Sequence, residues 1–104
     1  MPDNYRTLQG CTGFKWDQHN AKKNWEKHKV TPAECEQIFF NKPLIVADDV
    51  KHSESERRFY ALGKTDLHRN LFIVSTVRGN LIRVISARNM NKKEKGRYEE
   101  YEEK

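Results

Sequence analysis

Between residues 70 and 90 apolar and polar positions alternate along two runs, separated by Gly79 and Asn80. Alternation of period two, with Gly at the first central position of a two-residue loop, predicts a β-hairpin over residues 71–77 and 81–86. Such a loop sets Arg78 opposite Leu81 and Thr76 opposite Arg83, so Thr76, Arg78 and Arg83 share one face. Ile73, Val77, Ile82 and Val84 take the other, buried face. Two cations a diagonal apart on one face repel each other unless an anion sits between them. This face is the first pointer to function.

The remaining pattern supplies the other elements. Residues 14–16 alternate as a short strand, and Asp17 is placed to cap a helix from Gln18 to His28. Ala21, Trp25 and His28 form its apolar stripe, while Lys22, Lys23, Glu26 and Lys27 form the wet side. Trp16 and Trp25 are expected in the core. Thr31, Pro32 and Glu34 make a capping box with proline at the first helical position. Cys35, Ile38 and Phe39 give that second helix an apolar face, and Asn41 to Pro43 stop it. Residues 44–47 are a fully apolar strand, and 48–56 a polar loop. Residues 57–65 alternate again, with Phe59 and Ala61 on one face and Tyr60 and Leu62 on the other. Asn91 and Glu94 repeat the capping logic for a charged helix whose seam is thin, Tyr98 and Tyr101.

The order is strand, helix, helix, four strands, helix, which is the α+β class. Short turns between consecutive strands predict an antiparallel β-sheet packed against the N-terminal helices, with a C-terminal helix. Residues 1–13 have no period and are expected to be an N-terminal extension before a single domain, 14–104.

Composition sharpens the picture. A chain of 104 residues with 36% apolar and 34% charged residues can build one domain with a small core. Residues 57–97 carry eleven Lys/Arg against two Asp/Glu, so the positive charge is gathered on the sheet and the start of the last helix. That is the footprint of a polyanion partner. Cys11 and Cys35 are not spaced as a redox pair, and neither a secretory leader nor a membrane span is readable, so a cytoplasmic protein with reduced thiols is expected. His19, His28, His52 and His68 lack the spacing of a metal site, and no phosphate-binding or dinucleotide loop is present. No metal or cofactor is expected.

What remains is a set of cations with a few proton carriers. Arg78, Arg83 and Arg88 come from the hairpin, Arg57 and Arg58 from the preceding strand, and Lys23 and Lys27 from the first helix. Guanidinium groups suit phosphoryl transfer, where charge gathers on non-bridging oxygens. RNA brings its own nucleophile, the 2′-hydroxyl, so the protein need only orient the chain and assist one deprotonation and one protonation. His28, Glu56 or a lysine could serve. Plainer roles stand beside these. His28 can bind the last helix carbonyls, and Glu56 can pair with Arg57, Arg58 or Lys51. Arg83 is hardest to explain that way, because it interrupts the apolar run from Leu81 to Ile85.

Several segments in order resemble the BrnT family of ribonuclease toxins from bacterial type II toxin–antitoxin systems. They are Phe14 to Asp17, Asn24 with Lys27 and His28, Thr31 to Phe39, and His52 to Arg57 before Phe59. Ala61 to Gly63, Ile82 to Arg88, Lys92 to Glu94, and Tyr98 with Glu99 continue the likeness. The resemblance implies a fold similar to RelE-type toxins and a metal-independent endoribonuclease. It implies a partner, a BrnA-type antitoxin, in a complex of two toxins with two antitoxins that reaches operator DNA only through the antitoxin. Arg78 and Arg83 carry over as catalytic cations, with Glu56 and His28 beside them and Lys23, Lys27, Arg57 and Arg88 toward the RNA. A non-catalytic nucleic-acid-binding module descended from such a toxin is the alternative. One departure matters: Lys29 stands where the family commonly has Gly, so the first helix is expected to end differently.

Overall fold

The structure, a computed structural model, describes residues 8–52 and 56–103. Most of the expected N-terminal extension, and the middle of the 48–56 loop, lie outside the described residues. The elements are β1 (Gly13–Lys15), α1 (Gln18–His28), α2 (Pro32–Ile38), β2 (Ile45–Asp48), β3 (Arg58–Lys64), β4 (Asn70–Arg78), β5 (Leu81–Asn89) and α3 (Lys92–Glu102). The α+β class and the order of elements are those read from the pattern.

The five strands form one sheet in the order β1-β5-β4-β3-β2. Consecutive strands from β2 to β5 are antiparallel, as short turns require. β1 is a correction to the expected sheet: it runs parallel to β5, with Gly13 opposite Leu81 and Lys15 opposite Arg83. These are the first and last strands of the chain, so no tight turn joins them and their relative direction is free.

The hairpin forms in the expected register, Arg78 opposite Leu81 and Thr76 opposite Arg83. Further along, the register slips between Val74 and Ser75, so that Val84 faces Ser75 while Ser86 faces Val74. Ile85 is the extra residue of a β-bulge. The bulge reverses the phase of the rest of β5. A regular strand would have turned Arg88 into the core; here Arg88 stands opposite Phe72 on the other face.

The main core lies on one face of the sheet. Phe59, Ala61, Ile73, Val84 and Ala87 pack there against Val30, Cys35 and Ile38. α2 begins with the expected capping box, in which Thr31 Oγ1 accepts from the Glu34 N–H and Glu34 accepts from the Thr31 N–H. Its C-terminal residue, Ile38, comes down on Gly63 of β3 so closely that a methyl group there would lie 2.8 Å from Ile38 Cβ. Cys35 is a free thiol inside this core, and burial pushes it up to about 12.

α1 differs from expectation in what it buries. Trp25 is 49% exposed, with the Lys29 ammonium 5.1 Å from its ring, and Asn24 is the buried residue instead. β1 covers only the first three residues of β5, and beyond them α1 lies beside that strand. Asn24 Oδ1 there accepts the backbone N–H of Ala87 at 3.2 Å. A sheet edge presents unpaired peptide groups, so this position needs a polar side chain rather than a large apolar one. Trp16, in contrast, packs against the core and donates to Glu36 Oε2 at 2.8 Å.

The end of α1 is also a correction. Lys29 itself adopts the left-handed conformation, φ 54° and ψ 42°, and its N–H bonds back to Trp25 O. Arg69 secures this end. Its guanidinium donates to the carbonyls of His28 and Lys29 at 2.9 and 2.7 Å and pairs with Glu34.

On the opposite face, Tyr98 of α3 lies over Ile45 and Leu62, with Phe72, Met90 and Tyr101 around them. This second, smaller core sits at the far end of the sheet from the Gly79–Asn80 turn. α3 covers only that end, and the hairpin end of the face stays open. Among the described residues no helix is long and apolar enough to cross a membrane.

Candidate active site

The open face is organised in rows across the strands, because paired residues project to the same side. At the hairpin end Arg58 pairs with Thr76, Thr76 with Arg83, and Arg83 with Lys15. One row therefore carries Lys15, Arg83, Thr76 and Arg58 over four strands, with Arg78 one pleat repeat beyond Thr76. The next row inward holds Ser86, Val74 and Tyr60, and the one after it Arg88, Phe72 and Leu62. The face thus grades from basic at the hairpin end to aromatic and apolar beneath α3.

Each hairpin arginine has a carboxylate partner from elsewhere in the chain. Arg83 Nη2 donates to Asp17 Oδ2 at 3.0 Å, and Arg78 Nε donates to Glu56 Oε2 at 2.7 Å. Asp17 also caps α1, accepting from the N–H groups of His19 and Asn20. The Arg83 hydrogen bond, helped by those two N–H groups, holds the Asp17 carboxyl below the usual carboxylate range. The Arg78 hydrogen bond does the same for Glu56, and the fields of Arg83 and Arg58 add to it. Arg78, Arg83, Arg58, Asp17 and Glu56 form one electrostatic cluster. The anion expected between the two arginines is supplied internally, by a carboxylate on each.

Thr76 is 1% exposed and fixes the middle of the row by donating from Oγ1 to the Arg57 carbonyl at 2.7 Å. This contact ties the entry of β3 to β4 and sets the direction of Arg58. Arg58, not Arg57, stands where an RNA-facing cation was expected. Arg58 is on the row, whereas Arg57 lies outside β3 and bonds Asp48 at 2.9 Å.

The other candidate residues lie apart. His28 ends α1 next to Arg69, at the start of β4, while Arg78 ends the same strand. Eight residue steps separate the two ends, roughly 26 Å at strand rise, so the structure does not bring the His28 side chain to the arginine cluster. Lys23 and Lys27 line a shallow concavity on α1 together with His19, Lys22 and Glu26. Arg88 lies under the start of α3, bonded to both oxygens of Glu94 at 2.8 and 2.9 Å and stacked 4.2 Å from the Phe72 ring centre. Burial works against the charge of Glu94, but Arg88 and the Asn91 N–H outweigh it and hold the carboxyl low. This ion pair anchors the capping box of α3.

Sequence reasoning missed Lys15 and Asn24. The parallel register of β1 would have been needed to place Lys15 on the row. A polar residue one position before the expected stripe of α1 was the only available sign of Asn24.

The family model that describes the ribonuclease toxin BrnT of type II toxin–antitoxin systems matches residues 16–94, from the end of β1 into the first turn of α3. The chain belongs to this family. Its fold is similar to the crystal structure of the Brucella abortus ribonuclease toxin BrnT, with a TM-score of 0.59 and 19% sequence identity. That likeness covers 78% of this chain and 99% of the Brucella chain, and at this identity it speaks to the fold. No curated protein sequence matches the chain. As a BrnT-family chain it falls among ribonuclease toxins, whose substrate is RNA and whose partner is an antitoxin.

Proposed function

We propose that the chain is a metal-independent endoribonuclease toxin of the cytoplasm, with a RelE-like use of the open sheet face, held inactive by a BrnA-type antitoxin. The observation that carries the reading is the row of Arg83, Thr76 and Arg58 with Arg78 and Glu56 alongside. A phosphodiester laid on this row displaces Asp17 and Glu56 from the arginines. Its non-bridging oxygens then take the guanidinium hydrogen bonds, which strengthen as charge develops in the transition state. Glu56, once released from Arg78, loses the interaction that holds its carboxyl low. It becomes a better proton acceptor for the 2′-hydroxyl at the moment substrate binds. His28 takes no part in this account, and Lys15 joins the cations.

The antitoxin, two copies with two toxins, would cover the same face, and operator DNA would be reached only through it. The second reading, a nucleic-acid-binding module without catalysis, is favoured by two observations. Both carboxylates of the cluster are ion-paired, and the only histidine proposed as a base is remote. Tightly controlled expression in bacteria separates the two. The ribonuclease reading expects growth arrest with breakdown of total RNA. Soluble protein with unimpaired growth and intact RNA would instead favour the binding module.

A further inference from the structure

Behind the basic row the open face sinks into a groove of about 600 Å³ between the sheet and α3. Its floor is Tyr60, Phe72, Val74 and Ile85, and its rim carries Arg58, Lys93 and Arg97. Tyr60 and Phe72 stack at 5.5 Å between ring centres, and Arg97 reaches down from α3 to donate to the Tyr60 hydroxyl at 2.8 Å. Ile85 follows Arg83 by one pleat repeat and so faces this floor, and the bulge sets Ser86 beside it.

The phosphate chemistry assigned to the cluster does not use this groove. We propose that it receives a base of the RNA strand whose phosphate lies on the Arg58–Thr76–Arg83 row, an inference that rests on the ribonuclease reading. Three observations point to a base. Arg58 belongs both to the row and to the groove, and Tyr60 lies one pleat repeat from it, about 7 Å along β3. The floor offers the Tyr60 ring, which has Phe72 on one side and Arg97 5.9 Å from its centre, and a base stacks there by taking the place of the guanidinium. The rim is cationic, since Glu94, one of the two carboxylates in the lining, is engaged by Arg88.

The test uses the whole purified chain and 2′-deoxy hexanucleotides, which lack the nucleophile and are not cut. Each base in turn is replaced by an abasic site, and dissociation constants are measured at fixed salt. Loss of one particular base should weaken binding by roughly tenfold to a hundredfold, and the other positions should matter far less. Tyr60→Leu should abolish that difference, while Tyr60→Phe keeps it. If every abasic oligonucleotide binds within twofold of the intact one, the groove holds no base and the proposal fails, while RNA binding on the row stands. Failure of both the 2′-deoxy strands and their uncleavable 2′-O-methyl RNA counterparts to bind would overturn the ribonuclease reading and this inference together. The abasic scan on the unaltered protein decides the matter even if Tyr60→Leu does not fold.

Discussion

Gly63→Ala is predicted to loosen the helix that braces the site strand. A methyl group added to Gly63 lies 2.8 Å from Ile38 Cβ, 3.2 Å from Ile38 O and 3.3 Å from Ile38 Cδ1. Two of these atoms are fixed by the backbone of α2, so a rotamer change cannot relieve them. Overpacking of this kind costs about 1–3 kcal/mol. Replacing glycine within a strand returns roughly 0.5–1 kcal/mol of chain entropy and propensity. At a 2.8 Å contact the cost lies in the upper part of that range, so the net loss should be about 1–2.5 kcal/mol, which in a domain of this size lowers the melting temperature by roughly 4–20 °C. Urea unfolding gives the free energy directly, and the m-value should not change, since the same surface is exposed. Adding Ile38→Val should give no rescue, because it removes only Cδ1 and leaves Cβ and the carbonyl in place. A Gly63→Ala protein within 0.5 kcal/mol of wild type would refute the close seating of α2 on β3.

Three further outcomes follow from single side chains. Asp17→Asn keeps a good helix cap but removes the charge. Folding favours ionised Asp17, so its contribution is full above the ordinary carboxylate value near pH ~4 and is lost as pH falls through the depressed folded value. Acid melts should therefore be steeper for wild type than for Asp17→Asn, and identical acid profiles would contradict the Arg83 pairing. Lys29→Gly should raise stability by up to about 1 kcal/mol by relieving the left-handed lysine, measured by urea unfolding; a loss of stability would contradict that strain. Cys35, with its thiol pushed up to about 12 by burial, should resist alkylation in the native protein and react only on unfolding, as mass spectrometry of the labelled chain can show. Rapid native labelling of Cys35 would mean that the core opens easily.

Local signals in the sequence carried most of the fold. Thr31 with Glu34, Asn91 with Glu94, and Asp17 each marked a helix start through a short side chain beside its own backbone. Gly79 and Asn80 fixed the hairpin register, and with it the common face of Thr76, Arg78 and Arg83. What stayed hidden depends on residues distant in sequence. The parallel seat of β1 on β5, and so the place of Lys15, follows from the two ends of the chain meeting. The burial of Asn24 in place of Trp25 follows from where β1 stops covering β5. The bulge at Ile85 has no proline or glycine to announce it, yet it decides which face Arg88 occupies. The carboxylates on Arg78 and Arg83 were hidden for the same reason, since Asp17 and Glu56 lie 66 and 22 residues away from them.

The central claim is that the basic row performs RNA cleavage. Purified wild type, Arg83→Ala and Arg57→Ala should be compared on end-labelled RNA in the presence of EDTA, with thermal melts of all three. The account predicts cleavage by wild type under chelation, a loss of about a hundredfold or more for Arg83→Ala at nearly unchanged melting temperature, and little change for Arg57→Ala. Cleavage by Arg83→Ala at the wild-type rate, or cleavage abolished by EDTA in the wild type, would contradict it.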